Sequence, residues 1–175
     1  MSESVVAGLS FTLKSDTYTT PFKQRLGRSL SINPLRVSIG IPSCNEGRAL
    51  QNLLDALQHQ KLSPCIEIIE VIISDDSSDD TPHLIEKYIS RSGHRFTIKL
   101  FHHKERRGTA AAWNEIMQEA QGDVIILFDA DVLLHPKAVE FLAECFFSHH
   151  QVGVVASNII PLKPKTYSGG ASYLI

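Results

Sequence analysis

Two aspartates one residue apart are the side chains of this sequence whose spacing most directly indicates chemistry. Asp129 and Asp131 come directly after an apolar run at residues 124–128, and this run has the composition of a strand buried on both faces. Because a buried parallel strand delivers its last residues to the carboxyl edge of a sheet, the pair is expected where open α/β folds bind ligands. Two carboxylates there repel each other and are stable only if a positive group, usually a divalent cation, lies between them and an anionic ligand. The pair therefore predicts a metal-assisted site for a phosphorylated substrate.

A second acidic pair follows another apolar run. Asp75 and Asp76 come shortly after residues 66–73, in the segment Ser-Asp-Asp-Ser-Ser-Asp-Asp-Thr. A solvated turn and a helix cap explain the later acids and the threonine of that segment, but not the strand-end position of the first pair. A carboxylate at a strand end can accept a hydrogen bond from the imide N–H of a nucleobase or bind ribose hydroxyls. Asp75 and Asp76 therefore predict a contact with a nucleoside.

Three more groups of residues are candidates for the same site. Arg106 and Arg107 could face a phosphate or a base, and Gly108 would let the backbone approach a ligand closely. The polar segment at residues 42–46 offers backbone N–H groups to an anion or a base, although its last residues could equally cap the next helix. His135 is close enough in sequence to join the metal, but a histidine before a helix-opening proline is more often structural.

The elements that must position these residues alternate between strands and helices. Apolar runs predict strands at residues 36–41, 66–73, 96–101, 124–128 and 152–157, with 159–162 continuing the last or forming a sixth. Helical stripes and caps predict helices at residues 47–60, 81–91, 109–120 and 136–147. Pro42 is expected to end the first strand. The order predicts a three-layer α/β fold, with a mostly parallel sheet and helices on both faces.

Length and composition limit the class of protein. The chain has 175 residues, of which 43% are hydrophobic and 21% are charged, and this is typical of one globular domain. We predict that the domain covers residues 36–175. Residues 1–35 are predicted to form an extension with a short strand near 10–13. The net charge of -2 argues against a general nucleic-acid binder. Three cysteines without metal-ligand spacing indicate free thiols in a reducing compartment. With no signal-like or membrane-length apolar segment, we predict a cytoplasmic location, or the cytosolic face of a membrane through segments outside this chain.

Four motifs in this order resemble the family-2 glycosyltransferases with the GT-A fold, whose first part is a Rossmann-like nucleotide-binding half. They are Pro-Ser-Cys-Asn-Glu at 42–46, the acidic segment at 74–81, Arg-Gly-Thr-Ala-Ala-Ala-Trp-Asn at 107–114, and Gly-Asp-Val-Ile-Ile-Leu-Phe-Asp-Ala-Asp at 122–131. The resemblance extends from about residue 37 to 162. It implies transfer of a sugar from a UDP- or GDP-sugar to an acceptor, usually with inversion and with Mn²⁺ or Mg²⁺.

The resemblance also implies roles for individual residues. It places Pro42, Cys44 and Glu46 in the nucleoside pocket, Asp75 and Asp76 on the base, Asp129 on the ribose side and Asp131 on the metal. Arg107 and Gly108 complete the predicted nucleotide-binding set. Cys44 stands where the family often has tyrosine, so the preferred nucleotide remains open.

The general base that an inverting transfer requires is not identified in the sequence. In the family it is an acid well beyond the Asp-x-Asp, whereas the last carboxylate side chain here is Glu144. We therefore expect a piece of a longer enzyme, with the base and any membrane segment downstream. A short nucleotide-sugar-binding or interaction module without transfer activity is the alternative, and His149 or His150 acting as base is a third. The acceptor, a lipid or a glycan, is not indicated, and an uncovered sheet edge predicts self-association.

Two other classes of protein share part of this pattern. A receiver-like signalling domain also collects acids at strand ends, but its acidic pair follows the first strand, where this chain has Pro-Ser-Cys-Asn-Glu. A nucleotidyltransferase usually has a glycine-rich, basic phosphate loop at that place. Gly40, Gly47 and Arg48 make only a poor version of such a loop.

Overall fold

The computed structural model of the chain describes residues 5–6, 9–10, 33–148 and 153–157. Near the N-terminus, β1 (Val5–Val6) and β2 (Leu9–Ser10) pair antiparallel. The strand predicted near residues 10–13 coincides with β2 only at Ser10, and residues 11–13 lie outside the described residues.

The main body is an alternation of strands and helices around one parallel sheet. The strands are β3 (Leu35–Ser43), β4 (Ile66–Asp75), β5 (Thr97–His102) and β6 (Val124–Leu127). The helices are α1 (Gly47–Gln58), α2 (Thr81–Ile89), α3 (Thr109–Glu119) and α4 (Ala138–Ser148). Within the described residues, the sheet has the strand order β5-β4-β3-β6, with every neighbouring pair parallel. The predicted α/β class is confirmed, and these helices lie within two residues of the predicted bounds.

Successive residues of β3 serve the two faces of the sheet. Val37, Ile39 and Ile41 are fully buried in the main hydrophobic cluster, which also contains apolar side chains of α1, α2 and α4. Gly40 belongs to the opposite face, where a Cβ would collide with the side chains of Ile116 and Leu127. The missing side chain at Gly40 therefore lets α3 pack closely on the sheet.

Pro42 does not end β3 as the sequence analysis expected. The strand continues to Ser43, and Pro42 is paired with Ser74 of β4. The carbonyl oxygen of Gly40 accepts the last hydrogen bond from the β6 side, from the N–H of Phe128, at 3.0 Å. The backbone N–H and C=O groups of residues two apart in a strand point to the same side, so those of Pro42 point to the β6 side, as those of Gly40 do. At Pro42 the N–H that proline lacks would therefore lie beyond the end of β6. The sheet therefore loses no ladder hydrogen bond at Pro42.

Strand β6 differs from the prediction of a strand buried on both faces. Among the described strands it forms an edge and pairs only with β3, and Ile125 is 36% exposed. Helix α3 makes its main contacts with this sheet at β3 and β4, so β6 lies at the margin of the face that this helix covers. An apolar run alone does not reveal which strand of a sheet a helix will cover.

The strand predicted at residues 152–157 is also wrong over the described part of that range. Residues 153–157 have no regular secondary structure, and Val154 is 87% exposed, although Val155 packs against the main cluster. A strand requires a hydrogen-bonding neighbour, and the described segment has none. Residues 152 and 159–162 lie outside the described residues. None of the helices in the described ranges has the length and apolar character that a membrane span requires.

A buried polar cluster ties the end of α3 to the sheet at the edge opposite the carboxyl ends of the strands. Glu70 accepts hydrogen bonds from the hydroxyl of Ser38 (2.6 Å) and the backbone N–H of Gln121 (2.7 Å), and it pairs with Lys99 at 2.8 Å. Burial alone would raise the pKa of Glu70, but these donors lower it below the usual value. The cluster fixes the turn from α3 into β6, and with it the start of the strand that carries the aspartates.

Candidate functional site

The carboxyl ends of the parallel strands border a cavity of about 430 Å³. Its lining comes from the end of β3 and the turn that follows it, the residue after β4, the residues before and at the start of α3, and the segment after β6. The lining residues are Pro42, Ser43, Cys44, Asn45, Glu46, Asp76, Arg106, Gly108, Thr109, Ala112, Asp129, Ala130 and Asp131. The volume lies in the range of ligand-binding clefts. Seven of the nine predicted site residues are therefore brought together, and Asp75 and Arg107 are not among the lining residues.

Asp76 is held in a fixed orientation by backbone groups. Its Oδ2 accepts hydrogen bonds from the N–H of Arg107 (2.7 Å) and of Gly108 (2.8 Å), and Gly108 has φ +85°. Its Oδ1 is buried without a hydrogen-bond partner among the described residues, 3.5 Å from Nε of Arg107. Burial raises the pKa of Asp76, but the two N–H donors and the guanidinium outweigh this and lower it. Asp76 is therefore a charged carboxylate, with Oδ2 held by two backbone N–H groups and Oδ1 beside the guanidinium of Arg107.

Asp75 does not line the cavity but stabilises a turn that does. The side chain is fully buried and accepts a hydrogen bond from the hydroxyl of Ser77. It also forms a hydrogen bond with Nδ1 of His102 at 2.9 Å. The oxygen of Ser77 in turn accepts the N–H of Asn45 at 2.7 Å. Asp75 thus braces the β3–α1 turn, and its predicted contact with a nucleoside remains a prediction.

Asn45 shows why that turn needs bracing. Its φ of +61° is the left-handed conformation, which asparagine tolerates better than most residues. Its Oδ1 accepts the backbone N–H groups of Ser78 (2.9 Å) and Asp79 (3.3 Å), so the side chain joins the turn after β3 to the turn after β4. Sequence reasoning considered Asn45 as part of a segment that offers backbone N–H groups or as a helix cap, and missed this role of its side chain, although asparagine within a strand-to-helix turn was a usable signal.

The two neighbouring arginines have different surroundings. Arg107 donates from Nη2 to Glu115 at 2.8 Å and to the hydroxyl of Ser74 at 3.1 Å, so its side chain forms part of the wall behind Asp76. Arg106 is exposed and lines the cavity. The sequence made both arginines candidates for a phosphate or base contact and predicted Arg107 as the nucleotide-binding one. The structure adds Arg106 as the cation beside the cavity.

Three carboxylates gather on one side of the cavity. Asp129 and Asp131 are exposed on either side of the buried Ala130, and Glu46 lies near both. Burial, and then the negative charges of Asp131 and Asp129, raise the pKa of Glu46. Such crowding of negative charge favours a cation. Over the described ranges, no three or more His, Cys, Asp or Glu side chains are arranged to hold a metal ion by themselves.

The remaining predicted residues lie at the end of β3 and just after it. Pro42 and Cys44 both line it, and Sγ of Cys44 lies 3.7 Å from the carbonyl oxygen of Asp76. Ser43 lies between them and is 6% exposed, with a buried hydroxyl that has no hydrogen-bond partner among the described residues. Sequence reasoning missed Ser43 because it placed the end of the strand at Pro42. His135 bonds the N–H of Lys137 (3.2 Å) and is not a lining residue.

Comparison with known proteins adds the family. The model described as "Glycosyl transferase family 2" matches residues 38–168, which is more than half of the chain. The chain belongs to glycosyl transferase family 2. The resemblance read from the four motifs is confirmed, and all four lie within the matched range.

Curated relatives in the family are longer than this chain. The chain is 33% identical over 100 residues to "Uncharacterized glycosyltransferase YfnE" of Bacillus subtilis (strain 168), an alignment that covers 57% of the chain and 24% of YfnE. It is 26% identical over 120 residues to the dolichol-phosphate mannosyltransferase of Pyrococcus furiosus, covering 69% and 32%. The chain therefore spans about a quarter to a third of the length of these relatives.

Solved glycosyltransferase structures share the fold. A fragment of S. aureus TarS in complex with UDP superposes with a TM-score of 0.55 at 24% identity, over 66% of this chain and 33% of that one. The mannosyltransferase PcManGT from Pyrobaculum calidifontis, in complex with GDP-Man and Mn²⁺, gives 0.54 at 24% identity, over 74% and 38%. These likenesses confirm the predicted GT-A architecture.

Proposed function

We propose that this chain forms the donor-binding part of a glycosyltransferase that moves a sugar from a nucleotide-diphosphate sugar to an acceptor, with a divalent cation and with inversion. The observation that carries the proposal is the cavity at the carboxyl ends of the strands, where Asp76, Asp129 and Asp131 are lining residues. UDP in the TarS structure and GDP-Man in the PcManGT structure support a UDP- or GDP-sugar as donor.

The proposal gives the cavity a nucleoside side and a phosphate side. In this proposal Asp76 binds the base, Pro42 and Cys44 border the nucleoside, and Asp129 binds the ribose. Gly108 admits the ligand close to the backbone. Asp75 and Arg107 hold the turn of Asn45 and the carboxylate of Asp76 in place. Glu46, the residue before α1, and Thr109, the first residue of α3, line the same space, and helix N-termini favour phosphate.

The acidic side of the cavity fits a hard divalent cation. Mg²⁺ and Mn²⁺ take oxygen ligands and are commonly held by one or two carboxylates, with substrate phosphate and water in the remaining positions. Asp131, with support from Asp129, offers such oxygens, and a cation would relieve the repulsion that raises the pKa of Glu46. When bound, the ion would offset the charge of the nucleoside diphosphate leaving group. The Mn²⁺ in the PcManGT structure supports this choice.

A second candidate function is binding without transfer. No carboxylate side chain follows Glu144 in the sequence, so the general base of an inverting transfer is not assigned to any residue. A nucleotide-sugar-binding or interaction module would use the same cavity and would need no base. What happens to the donor sugar distinguishes the two functions. A transferase moves the sugar to an acceptor, for which we propose a lipid or a glycan, whereas a binding module releases the donor unchanged.

Calorimetric titration with UDP and GDP, with and without Mn²⁺, tests the donor site. We expect at least one nucleotide to bind more tightly with the metal ion, and we expect Asp131→Asn to lose about tenfold or more of that metal-dependent affinity. Thermal unfolding should show that the variant is folded, because Asp131 is exposed.

Asp80→Asn is the matched control for this experiment. Asp80 is also exposed and is not a lining residue, so the same change of carboxylate to amide should leave binding unaltered. Equal metal-dependent affinity of the wild-type chain and Asp131→Asn would reject Asp131 as the metal ligand. Absence of binding by either nucleotide, with or without Mn²⁺, would reject the donor site itself.

A further inference from the structure

We propose that His102 is a positioning residue for the donor site, which acts on the cavity through the buried carboxylate of Asp75. The proposal rests on the proposed function, since its effect is measured as the affinity for a nucleoside diphosphate. His102 is the last residue of β5, does not line the cavity and lies outside all four motifs. A chain of hydrogen bonds connects it to the turn between β3 and α1.

Asp75 is a buried carboxylate that depends on two side chains for its hydrogen bonds. It is fully buried, and its Oδ2 lies 2.9 Å from Nδ1 of His102. Its other side-chain hydrogen bonds among the described residues come from Ser77, whose hydroxyl donates to Oδ1 and whose backbone N–H lies 3.4 Å from Oδ2. Burial of a carboxylate is costly unless its oxygens are hydrogen-bonded. Removal of the His102 donor therefore leaves Asp75 with a poorly satisfied oxygen.

The sheet fixes the place from which His102 donates. Strands β4 and β5 are paired so that His102 lies opposite Asp75, and the N–H of His103 donates to the carbonyl oxygen of Asp75 at 2.9 Å. Because a carboxylate only accepts hydrogen bonds, Nδ1 of the ring carries the hydrogen whether the ring is neutral or charged. The imidazole is therefore a donor to Asp75 in both of its charge states.

Ser77 connects Asp75 to the turn. Its hydroxyl has a single hydrogen, which it donates to Asp75, so its oxygen remains to accept the backbone N–H of Asn45 at 2.7 Å. Hydrogen bonds in such a chain polarise and strengthen one another. When Asp75 reorients after losing the donor on Oδ2, the hydroxyl of Ser77 is no longer held in the orientation that Asn45 requires.

The turn depends on this hydrogen bond because Asn45 has a φ of +61°. A residue in the left-handed region keeps that conformation only where its surroundings enforce it. Residues 44–46 all line the cavity, and Glu46 lies near the carboxylates of Asp129 and Asp131. A change in the turn would therefore displace lining residues, and this connects His102 to nucleotide affinity.

Two amide substitutions at His102 test the position of the donor. In asparagine the NH₂ group lies near the position of Nδ1, and in glutamine it lies further out, near the position of Nε2. His102→Asn should therefore still donate to Asp75, whereas His102→Gln should not. Both replacements are polar, and the side chain that they replace is 34% exposed, so we expect both variants to fold.

The experiment is calorimetric titration of the 175-residue chain with UDP and GDP in the presence of Mn²⁺, with thermal unfolding to show that each variant is folded. For the nucleotide that binds the wild-type chain more tightly, we expect His102→Gln to weaken binding about threefold to tenfold and His102→Asn to stay within about twofold of the wild type. His83→Gln is the matched control and should leave affinity unaltered, because His83 is exposed on α2 and does not line the cavity.

A second variant distinguishes this chain of hydrogen bonds from a general loss of stability. Ser77 is not a lining residue either, and we expect Ser77→Ala to weaken binding about threefold to tenfold. Because both substitutions remove the same support of Asn45, the double variant of His102→Gln and Ser77→Ala should bind within about twofold of Ser77→Ala alone. Independent structural effects would multiply instead.

Four results would overturn the proposal while leaving the proposed function intact. They are wild-type affinity in His102→Gln, wild-type affinity in Ser77→Ala, an equal loss in His102→Asn and His102→Gln, and losses that multiply in the double variant. If neither UDP nor GDP bound to the wild-type chain, the proposed function would fail together with this inference.

Discussion

Glu115 is a residue outside the cavity that acts on a residue inside it. It lies on α3 and holds the guanidinium of Arg107 at 2.8 Å, and Arg107 in turn approaches Oδ1 of Asp76 at 3.5 Å. The hydroxyl of Ser74 and the ring of His103 also contact Glu115, at 2.7 and 3.0 Å. Burial raises the pKa of Glu115, but these partners outweigh it and lower the pKa from 4.5 to about 2.

This lowered pKa predicts a pH-dependent contribution to stability. A carboxylate whose pKa falls on folding stabilises the native state above its unfolded pKa, and the effect is lost as the pH falls from about 4.5 toward 2. We expect Glu115→Gln to lower the free energy of unfolding by about 1–2 kcal/mol at pH 7, because it removes charged hydrogen bonds. Urea unfolding at pH 7, 5 and 3.5 should show the difference between wild type and variant shrinking at the lowest pH.

Glu119→Gln is the control on the same helix, since Glu119 is exposed. It should change the free energy of unfolding by less than about 0.5 kcal/mol at every pH. A loss in Glu115→Gln that stayed the same from pH 7 to pH 3.5 would contradict the role given to its charge.

The sequence located the acids of the site better than it separated neighbouring residues. The strand-end position of Asp76, Asp129 and Asp131 predicted that they would share one edge of the sheet, and they line one cavity. Consecutive residues such as Asp75 and Asp76 point in different directions, and residue type alone does not reveal which one faces the cavity. Ser43 was missed because the strand was expected to end at Pro42, which left Ser43 outside the strand that in fact carries it.

At the scale of elements, the turn between α3 and β6 depends on the absence of a side chain at Gly122. Its N–H donates to the hydroxyl of Ser38 at 2.9 Å. A Cβ at Gly122 would lie 2.6 Å from the backbone nitrogen of Ser38 and 2.8 Å from the carbonyl oxygen of Arg36. Both are atoms of β3, so a change of rotamer cannot relieve the contact.

We therefore expect Gly122→Ala to destabilise the chain by about 1–3 kcal/mol, the usual cost of overpacking. The measurement is the free energy of unfolding in urea. Gly153→Ala is the control, since a Cβ at Gly153 would meet nothing within 4 Å and φ there is not in the left-handed region. Equal stability of Gly122→Ala and the wild type would show that the turn between α3 and β6 is more adaptable than its contacts indicate.

The elements themselves could be predicted because their signals are local. Periodic leucines in α1 and the Thr-Pro start of α2 gave the helices, since caps and stripes depend on nearby residues. The exposure of Ile125 and the irregular segment at 153–157 could not be predicted in this way. Both depend on which strands and helices lie alongside, and residue order does not specify that.

At the scale of the whole molecule, β6 gives the described sheet an edge with an exposed apolar residue. Ile125 is 36% exposed, and exposed sheet edges favour pairing with a second chain. We expect concentration-dependent self-association in sedimentation velocity experiments, and we expect Ile125→Lys to reduce it because a charge would have to be buried in the contact. Thr97→Lys, at an exposed position on the other edge strand β5, is the control.

A monomeric wild-type chain at all concentrations would refute the self-association prediction. Equal reduction by Ile125→Lys and Thr97→Lys would show that net charge, and not the β6 edge, controls association. The fold class could be predicted at this scale because alternating strands and helices admit few topologies, whereas association depends on surfaces that composition does not locate.

The position of β3 at the centre of the sheet has a consequence for biosynthesis. Strand β4, one neighbour of β3, follows soon in the chain, but the other neighbour, β6, is distant. The backbone N–H of Arg36 donates a hydrogen bond to the carboxylate of Asp123, which lies 87 residues later, just before β6. At a translation rate of about 5–20 residues per second, the ribosome needs roughly 4–17 s to supply that second neighbour. During this interval the central strand of the nascent chain has one unpaired side. Slow translation between β4 and β6 would therefore lengthen the period in which a chaperone, or another nascent chain, can occupy that side.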